Sequence, residues 1–501
     1  MSIENIISIA KRRGFVWPSS EIYGGLSGFY DYGPVGFLLK KKIENLWRDF
    51  FVKSEENIFE IESCLVMHGK VWEASGHLGD FIDPLTQCKS CKSFYRADNL
   101  IEETTEKFVE GAKPDELTKI IRENKIKCPK CKGELADAKI FNLMLASNIG
   151  PTEGNVAYLR PETAQGMFVN FKNLLASTRA NLPFGVAQVG NSYRNEISPR
   201  QWLMRLREFR QMEIEYFFNP KKIKVPDKKL LKTKIRILTR EEQQKQNPKE
   251  MEVVAEDAVS KGILPNELMA YFLAKEFLWY QDLGIPKDAL RFRHMKLEET
   301  PHYSRGNFDL EIKFDFGWKE VVGNAYRTDF DLSTHMKHSG ENFEVVDEGE
   351  KIVPHVVEPS FGIDRTIYGI LLHCYREGKE RGWEWFEIPL KIAPYLAGVF
   401  PLVNKDNIPE KTKEIYSELK KCFDVFYDES GSIGKRYARS DEIGVPLAIT
   451  CDYQTLKDST VTIRDRNTTS QVRVKISDLG EILGKLVEGE IEFKKARKLV
   501  K

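Results

Sequence analysis

No stretch of this chain reads GxxxxGK[ST], and none sets GxGxxG after a strand. A P-loop and a dinucleotide fold are thereby excluded as the means of gripping phosphate. GxSxG is also missing, and serine, cysteine and histidine are nowhere arranged as an obvious nucleophile beside its base. Apolar runs stop well short of a membrane span. The opening "MSIENIISIAKRRGF" has Glu4 early and no signal-peptide core, so a cytoplasmic protein is expected. Cysteine is scarce: eight in 501 residues do not make a disulfide scaffold. Charge of one sign is lacking too. With a net charge of only +1, any nucleic-acid partner has to be met by local basic patches. Internal repeats and low-complexity tracts are absent.

What is present is an ordinary globular composition, 41% hydrophobic and 30% charged, over a length that predicts two to four domains. From Pro34, "PVGFLLKKKIENLWRDFFV" reads as a helix, with proline at its first position. Val35, Leu39, Ile43, Leu46, Trp47 and Phe50 fall on one face at helical spacing. That face is either core packing or a subunit interface. Residues 86–135 read as an inserted unit bounded by two cysteine pairs, and the Lys-rich stretch 219–300 as a second insertion. After Ile388 strand and helix alternate, which predicts a separate α/β domain of about one hundred residues.

Four stretches hold combinations that plain packing rarely needs. The first is "YLRPETAQGMF", with Arg160 and Glu162 around a proline. The second runs from Gln188 to Phe218. It reads as a hairpin carrying Arg194, Arg200, Arg205, Arg207 and Arg210 beside Glu196, Glu208, Glu213 and Glu215, with Arg179 just upstream. Alternation places Glu213 and Glu215 on one face of the returning strand, and it pairs Arg194 with Glu196 on the outgoing one. The third, "FGWKEVVGNAYRTDFDLSTH", sets Glu320 in an apolar strand. In the fourth, "VVEPSFGIDRTIYGIL", a strand is expected to end at Glu358, turn through Pro359 and Ser360, and start a helix near Gly362. Arg365 then sits in the first helical turn, where the dipole disfavours a cation unless an anion is held there. The signal is one of arginines and carboxylates on an antiparallel framework.

"YRNE" followed by "REFRQMEIEYF" resembles the second signature motif of class II aminoacyl-tRNA synthetases, and "GIDR" their third. "YDYGPVGFLLKKKIENLWRDFFV" is similar to the first, which forms the dimer interface in that class. The wider pattern, with "VWEASGHLGDFIDP", "RPETAQG", "RNEISPR", "EPSFGIDR", "YARSDEIGVP" and "TIRDR", resembles the dimeric glycyl branch over nearly the whole chain. The resemblance implies an α+β protein, with an antiparallel-sheet catalytic domain in three parts (1–85, 136–218 and 301–387). The two insertions interrupt it, and an α/β anticodon-binding domain follows at 388–501.

The resemblance also implies roles. Glycine would be activated with ATP and passed to tRNA(Gly) by a homodimer that needs no membrane. Arg194, Glu196 and Arg365 would be catalytic. ATP would be held by these three with Asn195, Arg205, Leu206, Phe209, Glu320 and Val321. Arg194 would take the α-phosphate, Phe209 the adenine ring, and Arg205 and Arg365 the outer phosphates. Glu320 would bind Mg²⁺. Glycine would sit among Glu162, Glu213 and Glu358 with Pro359 and Ser360, and Arg96 would approach it. Carboxylates crowding one ammonium leave no apolar room for a side chain, so larger amino acids would be rejected.

The pairs Cys88/Cys91 and Cys128/Cys131 resemble a zinc ribbon, with a degenerate site or reactive thiols as the alternative. Cys64, Cys374, Cys422 and Cys451 are expected to be packing residues. In the terminal domain Lys435, Arg436 and Arg439 would suit tRNA phosphates, although composition alone fits any small α/β module. Three rivals stay open: another amino-acid specificity, a synthetase-like regulator without catalysis, and a general nucleotide- or nucleic-acid-binding module.

Overall fold

The computed structural model describes residues 3–105, 109, 111–151, 156–300, 303–379 and 381–493. Its centre is a sheet of nine strands: β1 (Ile58–Glu60), β2 (Phe184–Tyr193), β3 (Glu208–Phe218), β4 (Lys234–Leu238), β5 (Met251–Val254), β6 (Leu290–His294), β7 (Asn307–Phe314), β8 (Gly317–Thr328) and β9 (His355–Gly362). The spatial order is β5-β4-β6-β7-β8-β9-β3-β2-β1. Every neighbouring pair is antiparallel except β4 with β6 and β1 with β2. The expected α+β class matches this arrangement.

The period of two in "REFRQMEIEYFF" decides what each face of the sheet meets. Met212, Ile214, Tyr216 and Phe218 enter the larger core, while Phe217 enters a second core on the opposite face. Glu213 and Glu215 therefore point to the side of Phe217. There the short helix α2 (Ala164–Val169) packs its Ala164, Met167 and Phe168 beside them. The larger core is covered by three helices: α1 (Pro34–Trp47), α3 (Glu267–Asp282) and α4 (Ile363–Cys374).

Two features of α1 follow from sequence. Proline stands at its first position, as expected. Gly36 lets the helix press on the preceding loop, since a Cβ there would lie 1.9 Å from the Phe15 carbonyl oxygen. Val35, Leu39, Ile43 and Trp47 are all buried inside this one chain. Of the two readings of that face, core packing is the one observed, so the face itself gives no support to a dimer.

Residues 219–300 do not form a separate inserted unit. They supply β4, β5 and β6 to the main sheet, and α3 is buried along most of its length. A Lys-rich composition over 219–250 concealed this, because only one side of β4 needs to be apolar: Ile235 and Ile237 are buried there. By contrast, residues 82–142 do make a small lobe. Among the described residues it has three strands (Ile82–Gln87, Phe94–Arg96 and Lys139–Asn142), two helices and its own core around Leu100, Ile101, Leu117 and Ile121.

The terminal α/β unit is a five-stranded sheet with strands at 397–401, 425–427, 447–451, 460–465 and 471–475. Ile388, Ile392 and Ala393 belong to the larger core rather than to this unit. Arg12 reaches across to Glu442 at 3.2 Å, and Lys42 to Asp424 at 2.5 Å. No helix among the described residues is long and apolar enough to cross a membrane.

Candidate active site

β3, β8 and β9 lie side by side, and their ends open into a cleft of about 360 Å³. The register sets Glu213 opposite Ser360 and Ala325 opposite Glu358. Carboxylates from adjacent strands thus converge on one end of the cleft. Arginines close the other.

At the carboxylate end Glu213 is 1% exposed. It accepts the Thr163 backbone N–H at 3.0 Å and both the Thr163 and Ser360 hydroxyls. Glu358 accepts from Arg327 at 2.7 Å, and Arg327 also pairs with Asp331. Glu162 accepts from Gln165 at 3.0 Å and faces His77. Burial alone would push all these carboxyls up. Glu162 nevertheless stays well below the usual carboxylate range, because His77 and Arg327 outweigh that burial. Glu358 is pushed up to about 8 by burial, against the pull of Arg327. Behind them stands Glu215, fully buried, with neither carboxylate oxygen hydrogen-bonded among the described residues. Burial and the neighbouring Glu358 push it well above its ordinary value.

At the other end Arg194, Arg205 and Arg365 line the cleft with Phe209. The Arg194 guanidinium lies 5.2 Å from the Phe209 ring and donates to the Pro161 carbonyl at 3.2 Å. Arg365 is in the first turn of α4, as expected, and donates to Glu320 at 2.9 Å. The anion that settles this cation at a helix start is thus a glutamate of the chain itself. Asp309, buried on β7, joins Glu320 in the wall.

The cleft wall includes Glu162, Arg194, Glu196, Arg205, Leu206, Phe209, Glu213, Glu320, Val321, Glu358, Ser360 and Arg365. Three predicted residues lie outside that wall. Asn195 donates its backbone N–H to the Leu143 carbonyl. Pro359 lies within β9, opposite Asn324, because the strand runs on to Gly362 instead of turning at Pro359 and Ser360. Arg96 is held by Asp83 at 3.0 Å and Asp98 at 2.8 Å. The hairpin reading also needs correction: β2 ends at Tyr193, so Arg194 and Glu196 sit in the loop and not on a strand face.

The remaining hairpin arginines fasten the scaffold. Arg200 pairs with Glu103, Arg207 donates to the Glu196 and Ser27 carbonyls, and Arg210 pairs with Glu44. Arg160 is buried and donates to the Asn191 and Ser63 carbonyls. Gly190 makes room for it, since a Cβ there would lie 2.0 Å from Arg160 Nη2. Sequence reasoning missed Gln211, Tyr303, Asn307 and Asp309 in the wall. The polar positions Asn307 and Asp309, two apart in "NFDLE", were the available signal.

In the small lobe all four sulfurs of Cys88, Cys91, Cys128 and Cys131 lie within 4.8 Å of one another. Cys88 and Cys131 Sγ are 3.5 Å apart, and Cys91 and Cys128 Sγ 3.6 Å. Of the four cysteines expected as packing residues, Cys374 and Cys451 are buried, but Cys64 and Cys422 are exposed. In the terminal unit Arg436 is 2% exposed and donates to the carbonyls of Pro401, Glu429 and Gly431. It braces a loop, with its guanidinium occupied by backbone carbonyls. Arg439 is tied to Asp428, while Lys435 is exposed.

A cleft with arginines at one end, carboxylates at the other and an antiparallel floor is the arrangement of the class II synthetase core. Residues 151–374 match the family described as the tRNA synthetase class II core domain (G, H, P, S and T). Residues 397–486 match the anticodon binding domain. Curated relatives carry the match along the full length. A glycine–tRNA ligase of Pyrococcus furiosus is 44% identical over 97% of this chain and 99% of its own. One of Methanothrix thermoacetophila is 40% identical over 99% of each. One of Methanothermobacter thermautotrophicus is 42% identical over 96% of this chain and 99% of its own. The chain belongs to the glycine–tRNA ligase family.

Proposed function

We propose that the protein joins glycine to the α-phosphate of ATP and then transfers glycyl to the 3′ end of tRNA(Gly) in the cytoplasm. The observation that carries this reading is the single cleft with opposed ends. Glu162, Glu213 and Glu358 converge where an ammonium fits, and Arg194, Arg205 and Arg365 converge where phosphates fit.

In the first step a glycine carboxylate oxygen attacks the α-phosphorus and the bond to pyrophosphate breaks. The nucleophile belongs to the substrate, so the chain's residues position and stabilise charge. Arg194, at the arginine end, reaches the Pro161 carbonyl next to Glu162 and would hold the α-phosphate against the glycine carboxylate. Phe209 would stack on the adenine, Glu196 would take its amino group, and Arg205 and Arg365 would hold the outer phosphates. In the second step a ribose hydroxyl of the tRNA attacks the glycyl carbonyl and AMP leaves.

Two metals suit the donors present. Glu320 and Asp309 offer hard oxygen ligands of the kind Mg²⁺ takes, and the ion would neutralise phosphate charge when bound. For the four cysteines, a tetrahedral zinc with bonds of about 2.3 Å requires sulfurs roughly 3.8 Å apart. The spacings of 3.5 and 3.6 Å fit structural Zn²⁺ after a small adjustment. A homodimer is also proposed, now on different grounds. Ile22, Tyr23, Leu26 and Phe37 are exposed around the 20–28 loop and α1, an apolar surface that a second copy would cover.

The test is ATP–pyrophosphate exchange. It is expected to depend on glycine and to ignore alanine and serine, with charging of tRNA(Gly) following. Exchange that is absent with glycine, or equal with alanine, overturns the reading.

A further inference from the structure

The motif "VWEASGHLGDFIDP" finds no role in the reading above, yet it folds directly against the cleft. His77 lies behind Glu162 and outside the cleft wall, with its Nε2 3.4 Å from Glu162 Oε2. The other carboxylate oxygen is held by Gln165 at 3.0 Å and lies 3.9 Å from Arg327. The carboxylate is thus pinned from two sides. His77 is itself fixed. Ser75 Oγ lies 2.8 Å from its Nδ1, and its ring packs edge-on between Trp72 and Phe81 at centroid distances of 5.4 Å each. Nε2 therefore faces the carboxylate, and Nδ1 faces the Ser75 hydroxyl on the opposite side of the ring.

We propose that His77 is a positioning residue of the amino-acid pocket: its Nε2–H aims the Glu162 carboxylate at the substrate ammonium, and Ser75 holds the ring in the orientation that allows it. The inference rests on the reading of Glu162 as an ammonium ligand. It does not involve the phosphate end. Phe81 reaches that end independently, 5.4 Å from the Arg194 guanidinium.

Two substitutions separate the hydrogen bond from the packing. His77→Phe keeps a ring between Trp72 and Phe81 but has no donor. His77→Gln keeps an N–H at the reach of Nε2 but has no ring. Glycine-dependent exchange is measured for both, with Ser75→Ala and with Glu162→Gln as the check on the underlying reading. Loss of a hydrogen bond to a charged group predicts a rise of roughly tenfold or more in the glycine KM of His77→Phe. The ATP KM should stay within about twofold, and His77→Gln should recover most of the glycine affinity. Ser75→Ala should shift the same parameter by less. Melting curves confirm that each variant is folded. A His77→Phe enzyme with wild-type glycine KM, beside a Glu162→Gln enzyme that is impaired, overturns the role of His77 alone. Equal damage in the Phe and Gln variants assigns the effect to packing and overturns it too. A Glu162→Gln enzyme with unchanged glycine KM removes Glu162 from the pocket and the proposal with it.

Discussion

Arg365 and Glu320 are paired within the cleft wall: the guanidinium donates to the carboxylate at 2.9 Å and to the same residue's backbone carbonyl at 3.0 Å. One residue comes from a helix start and the other from the neighbouring strand. Their pairing holds the arginine ready before any phosphate arrives. Nε donates in addition to the Met204 carbonyl at 3.0 Å, so two nitrogens of the planar fork are engaged at once, which lysine cannot reproduce. Arg365→Lys is therefore expected to lower exchange by about tenfold or more, mostly through the ATP KM. Unchanged ATP dependence would show that Arg365 serves the fold alone.

Arg194 extends from the arginine end to the Pro161 carbonyl, next to Glu162. Removing one preorganised charge stabiliser costs about a hundredfold to a thousandfold in rate. Arg194→Ala is expected to lose exchange by that much. The fold should survive, because the residue lies in a loop and its side chain donates to the Pro161 carbonyl rather than to a buried charge. Near-wild-type exchange in the folded variant contradicts the assignment.

Glu213 carries more structure than its place in the strand announces. Both of its oxygens are occupied by donors, the Thr163 N–H and hydroxyl on one and the Ser360 hydroxyl on the other. A glutamine there brings an NH₂ group against a donor. Glu213→Gln is expected to lower the melting temperature and raise the glycine KM together, whereas Glu213→Gln with wild-type melting and weakened glycine binding would show that the donors rearrange freely. Dependence on ATP should change least.

How much of this was legible beforehand divides by physical cause. Local signals carried furthest. Alternation set Glu213 and Glu215 on one face, proline opened α1, and Arg365 fell in a first helical turn. Which arginines face the ligand was not legible. Arg200, Arg207 and Arg210 carry the same charge as Arg194 and Arg205, and their partners, Glu103, the Ser27 carbonyl and Glu44, lie about a hundred or more residues away. The same holds in the terminal unit. Arg436 looks like an RNA contact until the carbonyls of Pro401 and Glu429 are seen around it. Charge is a local property, but the partner that neutralises it is set by tertiary structure.

The cysteine cluster lies in a lobe with its own small core, apart from the cleft. Metal bound there adds its free energy to folding of that lobe. Chelation, or Cys88→Ser, is expected to open residues 82–142 to limited proteolysis and to leave glycine-dependent exchange largely intact. Exchange that collapses in step with zinc loss would place the lobe in the catalytic machinery instead.

Glu358 carries a conflict between stability and binding that pH exposes. It is 6% exposed, and burial pushes its carboxyl up to about 8 although Arg327 pulls the other way. An unfolded glutamate titrates near about 4.3. Between those values the folded chain holds a proton that the unfolded chain lacks. The stability from this group is complete below about 4.3 and is lost as pH rises through 8. An incoming ammonium, however, needs the ionised form. Glycine affinity is therefore expected to rise between about pH 6.5 and 8.5 as the proton leaves. Glu358→Gln removes the group but leaves Arg327 paired with Asp331. The variant should bind glycine weakly at every pH in this range, with a flatter profile. Its melting temperature should gain on that of the wild type as pH approaches 9, where the wild type carries one more buried charge. Glycine titrations and melting curves across the range check both halves. A wild-type glycine KM that does not change with pH, or a Glu358→Gln enzyme that keeps the wild-type slope, would show that the proton on Glu358 is not the one that glycine displaces.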